Sequence, residues 1–121
     1  MTFPGHNGIL SRMRELSPEV RSIVQILRGH LEELYGLRLA RLIVFGSRAR
    51  GDADVCSDLD ALVVLRGTVE PVKEIRRTGG VVSELSLSAG FPVACLFVGE
   101  TEFLAGRGPL LTNVRREGIA A

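Results

Sequence analysis

The chain has 121 residues, of which 45% are apolar and 24% charged, with a net charge of +1. That is enough for one domain with a real core, and it excludes a disordered or fibrous chain. The small net charge argues against general nucleic-acid coating or tight binding to an anionic membrane, and no sequence-specific nucleic-acid partner is expected.

No apolar run approaches the roughly 18 residues of a membrane span. The N-terminal MTFPGHNGILSRMRE lacks the basic-then-apolar order of a secretory signal. Two cysteines, Cys56 and Cys95, cannot build a disulfide framework and fit a reducing compartment. These features predict a cytoplasmic protein. Residues 1–50 carry eight Arg and four acids, whereas residues 51–121 carry seven basic residues and ten acids. The carboxylates therefore gather in the later part.

Residues 1–16 read as a flexible leader, with Pro4, Gly5, Asn7 and Gly8 ahead of a short helical stretch at Ile9–Leu16. Residues 17–121 read as a single α/β domain. Ser17, Pro18 and Glu19 supply a cap hydroxyl, a proline at the first helical position and an early acid. Val20, Ile23, Val24, Leu27, Leu31 and Leu34 then recur at helical spacing as far as Tyr35, and Gly36 ends the helix. His30 beside that stripe reads as a packed helix residue, and His6 as solvated.

Leu39 to Phe45 is a short, nearly continuous apolar run that predicts a buried strand closed by Gly46. A turn-rich connection over residues 46–57 leads into a second strand, Asp58–Leu65. From about Val69 to Ala89 the pattern is helical, with Gly79-Gly80 as the place where it would break. Gly90, Phe91 and Pro92 open a third strand, Val93–Val98, in which Cys95 reads as a small buried hydrophobe. Glu100–Ala105 and Leu110–Glu117 complete the helices, and Arg115-Arg116 suits the negative end of the last one.

The informative constellation is Gly46-Ser47, ten residues, then Asp58-Leu59-Asp60. Two acids one residue apart on a strand share a face, because side chains alternate with a period of two. Placed side by side they repel, and a hard divalent ion such as Mg²⁺ or Mn²⁺ relieves that repulsion with oxygen ligands. Gly46 and Ser47 lie where a strand ends and a short helix begins, offering backbone N–H groups and a hydroxyl to an anion. Arg48 and Arg50 are near enough to add charge-assisted contacts to phosphate oxygens. Carboxylates for metal opposite a phosphate cradle describe phosphoryl-type transfer from a metal-bound nucleotide. Asp52 and Asp54 read as solvated loop acids, and Cys56 has no base nearby that would make it a nucleophile.

The segment GSRARGDADVCSDLD resembles the signature of the minimal nucleotidyltransferases, small antitoxin-type members of the DNA polymerase beta-like superfamily. The likeness runs over about residues 17–119, including the tail LLTNVRREGI. It implies a small mixed β-sheet flanked by helices, and transfer of a nucleoside monophosphate from ATP with release of pyrophosphate. On this resemblance Gly46 and Ser47 hold the triphosphate and Asp58 and Asp60 are the catalytic metal ligands, with Arg48 and Arg50 added to the nucleotide-binding set by their nearness in sequence. It also implies a small helical HEPN-type toxin as partner and acceptor, within a homo- or hetero-oligomer. Active relatives carry a third carboxylate on a later strand, but Val93–Val98 contains no acid. Glu84, Glu100 and Glu102 flank that strand and read as solvated charges. The alternative function is therefore a catalytically weak nucleotide-binding antitoxin that neutralises its partner by binding.

Overall fold

The computed structural model describes residues 12–54 and 57–121. The leader as far as residue 11, with His6, and the Cys56 position both lie outside the described residues. Leu16 is buried, and the Arg21 guanidinium holds the carbonyls of Met13, Arg14 and Leu16, so packing begins before Ser17.

Helix α1 (Pro18–Tyr35) starts where the sequence places it, because the Ser17 hydroxyl accepts from the Val20 N–H at 3.3 Å. Val20, Ile23, Val24, Leu27, Leu31 and Tyr35 form its buried stripe. Leu34, expected in that stripe, is instead partly exposed at its margin. The chain continues through a single 3₁₀ turn into strand β1 (Leu39–Phe45), the one-turn helix α2 (Ser47–Arg50) and strand β2 (Leu59–Leu65). Helix α3 (Pro71–Ala89) crosses to strand β3 (Val93–Gly99). Helices α4 (Glu100–Ala105) and α5 (Pro109–Glu117) follow, then strand β4 (Ile119–Ala120).

The sheet order is β3-β2-β1-β4. Strand β1 is antiparallel to both β2 and β4, and β2 is parallel to β3, so the sheet is mixed as expected. Helices lie on both faces, which explains why β1 and β2 are nearly continuous apolar runs rather than alternating ones. Leu42, Val44, Leu59, Ala61, Val63 and Leu65 pack with α1 and α3 on one side. Ile43, Phe45, Leu62 and Val64 pack with Phe103, Leu111 and Val114 of α4 and α5 on the other.

Helix α3 runs unbroken through Gly79 and Gly80. A mid-helix glycine costs about 1 kcal/mol against alanine, and tertiary contacts outweigh it here. Glu74 and Thr78 are buried, and Tyr35 Oη donates to Glu74 Oε1 at 2.7 Å across α1 and α3. Arg77 adds an ion pair to the same carboxylate at 3.3 Å. Strand β4 was not legible in the sequence, since two residues are too few to display a period; it pairs Ala120 with Ile43 and Ile119 with Val44.

Gly118 joins α5 to β4 through a gap with no room for a side chain. A Cβ there would sit 2.7 Å from Ile43 Cγ2 and press on the Val114 carbonyl oxygen. Both neighbours belong to fully buried residues and cannot swing away. Gly118→Ala is therefore expected to lower the unfolding free energy by about 1–3 kcal/mol, measured by urea unfolding. An unchanged midpoint would mean that β4 lifts from β1 at little cost.

Candidate active site

The antiparallel pairing of β1 and β2 brings the motif together at one end of the sheet. Phe45 is opposite Asp60, so the turn that follows Phe45 lies beside the start of β2, which begins at Leu59 and leaves Asp58, expected as its first residue, just ahead of the strand. Asp60 falls on the face that carries Phe45 and Leu62, the side covered by α4 and α5. Gly46 has φ +81°, and a Cβ on it would lie 2.5 Å from Asp60 Oδ2. Glycine is required there twice over, for backbone conformation and for close approach of the carboxylate.

Burial, then the Asp58 charge, then the Glu117 charge push the Asp60 carboxyl above its ordinary value. Neither Asp58 nor Asp60 has a hydrogen-bond or cation partner among the described residues. Two hard oxygen donors in mutual repulsion, one of them partly desolvated, are the donor set that fits a divalent cation. Among the described residues no cluster of three or more His, Cys, Asp or Glu is arranged to hold a metal.

The phosphate side of the motif divides into free and committed groups. The N–H groups of Ser47 and Arg48 and the Ser47 hydroxyl have no acceptor or donor among the described residues. The Gly46 N–H, by contrast, donates to Glu117 Oε1 at 3.0 Å. The Arg48 guanidinium donates to the Ser57 carbonyl at 2.8 Å and the Asp54 carbonyl at 3.2 Å. It also lies 3.7 Å over the Phe91 ring. Arg48 thus holds the loop that delivers Asp58. Arg50 bonds Asp52 at 3.2 Å and Glu117 Oε2 at 2.8 Å.

Strand β3 carries no acid, and its register explains what is missing. Ala94 is opposite Asp60, so Ala94 shares the site's face. Cys95 is opposite Ala61 and packs toward α1 and α3, where burial pushes its thiol up to about 11. Glu84 and Glu102 are exposed, and Glu100 approaches Arg66 at 3.9 Å. None joins Asp58 and Asp60.

Sequence reasoning missed Glu117. The available signal was its position as the last residue of α5, where the helix dipole disfavours a carboxylate. An acid held there needs compensation from elsewhere in the fold, and Gly46 and Arg50 supply it.

Residues 24–117 match the sequence pattern of the nucleotidyltransferase domain. The chain belongs to that family. Its fold resembles a chain in the crystal structure of a mutant of the toxin–antitoxin complex MntA–HpeT. The TM-score is 0.53 at 18% sequence identity, and the match covers 80% of this chain and 68% of the other. Among the curated proteins no sequence matches the chain. No helix of the described residues is long and apolar enough to cross a membrane.

The raised Asp60 pKa carries a sign for stability. Its charged form opposes folding, so the favourable contribution is present at low pH and is lost as pH rises through the elevated folded value. In metal-free buffer at neutral pH, Asp60→Asn is expected to melt at a higher temperature than the parent protein. The gap should close below the ordinary carboxylate value of 3.8, where the parent acid is neutral too. A lower melting point for Asp60→Asn at neutral pH would show that the carboxylate is structural.

Proposed function

We propose that the protein is a Mg²⁺- or Mn²⁺-dependent nucleotidyltransferase that moves AMP from ATP to an acceptor hydroxyl. The observation that carries this reading is the unpaired pair Asp58 and Asp60 beside the unpaired donors of Ser47. In the transfer, the acceptor oxygen bonds to the α-phosphorus and gives up its proton. The bond from that phosphorus to its bridging oxygen breaks, and pyrophosphate leaves.

Asp58 and Asp60 would hold the divalent ion, which when bound neutralises triphosphate charge and polarises the α-phosphoryl group. The Ser47 N–H and hydroxyl and the Arg48 N–H bind phosphate oxygens. Gly46, lacking a Cβ, lets the phosphates come close. Arg50 adds positive charge at the same end, and the Arg48 side chain orients the loop bearing Asp58.

The likeness to a chain of a toxin–antitoxin complex favours a partner protein as the source of the acceptor. The family resemblance favours a helical HEPN-type toxin as that partner, in the cytoplasm. The placement of Ala94 opposite Asp60 favours a second reading as well. In that reading the domain binds Mg-ATP, transfers slowly, and neutralises its partner by binding.

Incubation with labelled ATP, Mg²⁺ and a HEPN-type toxin is expected to place label on that toxin. Calorimetry should show ATP binding that disappears in EDTA and in the Asp58→Asn/Asp60→Asn double variant, which should still unfold cooperatively. Equal ATP affinity in EDTA would refute the metal–nucleotide reading. Ala94→Asp is expected to raise Mg²⁺-dependent transfer on the order of a hundredfold, whereas Cys95→Asp, facing the core, should not. Fast transfer by the unaltered protein with no gain from Ala94→Asp would exclude the slow-transfer reading.

A further inference from the structure

We infer that Glu117 is a positioning residue for the nucleotide site, fixing the Gly46–Ser47 turn from the far end of the chain. The inference rests on the nucleotidyltransferase reading and names a residue which that reading did not include. Glu117 ends α5, and its side chain is 16% exposed. Its location is electrostatically poor, because it meets the negative end of its own helix and faces Asp60.

Two bonds offset this. Oε1 accepts from the Gly46 N–H at 3.0 Å, and Oε2 accepts from Arg50 Nη1 at 2.8 Å. One carboxylate therefore grips both ends of the short Gly46–Arg50 segment. The grip is rigid at its base, since Leu111 and Val114 of α5 are packed with Ile43 and Phe45 of β1.

The choice of donor matters. Glu117 takes the Gly46 N–H and leaves those of Ser47 and Arg48 open. A carboxylate acting as a stand-in for phosphate would compete for the free donors; this one orients them. With Gly46 held, the backbone turn against Asp60 is set before any nucleotide arrives, and its ordering need not be supplied by the ligand.

Two readouts separate the clamp from the nucleotide reading. Amide hydrogen exchange at Gly46 is expected to be slow in the parent and in Glu117→Gln, whose amide oxygen can still accept. It should be fast in Glu117→Ala. Calorimetry with Mg-ATP should show affinity falling by about tenfold or more in Glu117→Ala, the scale of losing a charge-assisted bond that pre-orders a site. Glu117→Gln should recover most of that loss. If Glu117→Ala does not unfold cooperatively, Glu117→Asp, with its shorter reach, replaces it and should behave likewise.

Fast Gly46 exchange in the parent overturns the clamp. So does Mg-ATP binding in Glu117→Ala that equals or exceeds that of the parent, or a Glu117→Gln variant as weak as Glu117→Ala. Slow exchange combined with no Mg-ATP binding by any of these proteins overturns the nucleotide reading, and with it the role assigned to Glu117.

Discussion

The Asp60 carboxylate lies against Gly46 with no cationic side chain paired to it among the described residues, partly removed from water and repelled by Asp58 and Glu117. Desolvation and like charge both oppose ionisation there, and nothing among the described residues neutralises the pair formed with Asp58. The arrangement is tolerable because it sits at the end of β2. From Ala61 onward that strand is wholly buried and uncharged. The core holds the strand in place while Asp58, just before it, and Asp60 within it present charge that no cation among the described residues relieves.

The two helical layers each contribute one restraint to this corner. From the α1 and α3 side, Phe91 packs in the core and supports the Arg48 guanidinium, which in turn holds the carbonyls of Asp54 and Ser57. From the α4 and α5 side, Glu117 holds Gly46 and Arg50. Arg48 thereby governs the loop leading to Asp58, and Glu117 governs the turn facing Asp60. Both arginines of the motif act largely through protein partners, so the donors without a partner among the described residues are the Ser47 hydroxyl and the N–H groups of Ser47 and Arg48. A guanidinium committed to two carbonyls and a ring is pre-ordered, and a long side chain in that state leaves little rotamer freedom to lose later.

The elements were legible where a local rule coincided with tertiary demand. The Ser17 cap and Pro18 fixed the start of α1, and the apolar runs of β1 to β3 recorded burial on both faces. Gly46-Ser47 and Asp58-Leu59-Asp60 were legible because glycine conformation and strand alternation are local properties. Leu34 was misplaced because a helical period does not say how wide the covering layer is. The Gly79-Gly80 break did not occur because contacts such as Tyr35 to Glu74 lie far apart in sequence. Glu117 escaped for the same reason, since its partners are 71 and 67 residues away. It was visible only as an acid at the wrong end of a helix, a mismatch that asks a question without naming the answer.

The register of β3 separates what this site does for binding from what it does for turnover. On the proposed reading, the triphosphate and its ion would be held by Asp58, Asp60 and the Ser47 donors, all carried by the β1–β2 junction. On the same reading, activation of an acceptor oxygen would call for charge on the β3 side, where Ala94 faces the site with a methyl group. That side is also the open edge of the sheet, since β3 is the outermost strand of the order β3-β2-β1-β4. Leu96, two residues along on the same face, is 40% exposed. Among the described residues, the position lacking a carboxylate is therefore on the edge strand of the sheet. On the opposite side of the junction, Glu117 and α5 are packed against the Gly46 turn and β1.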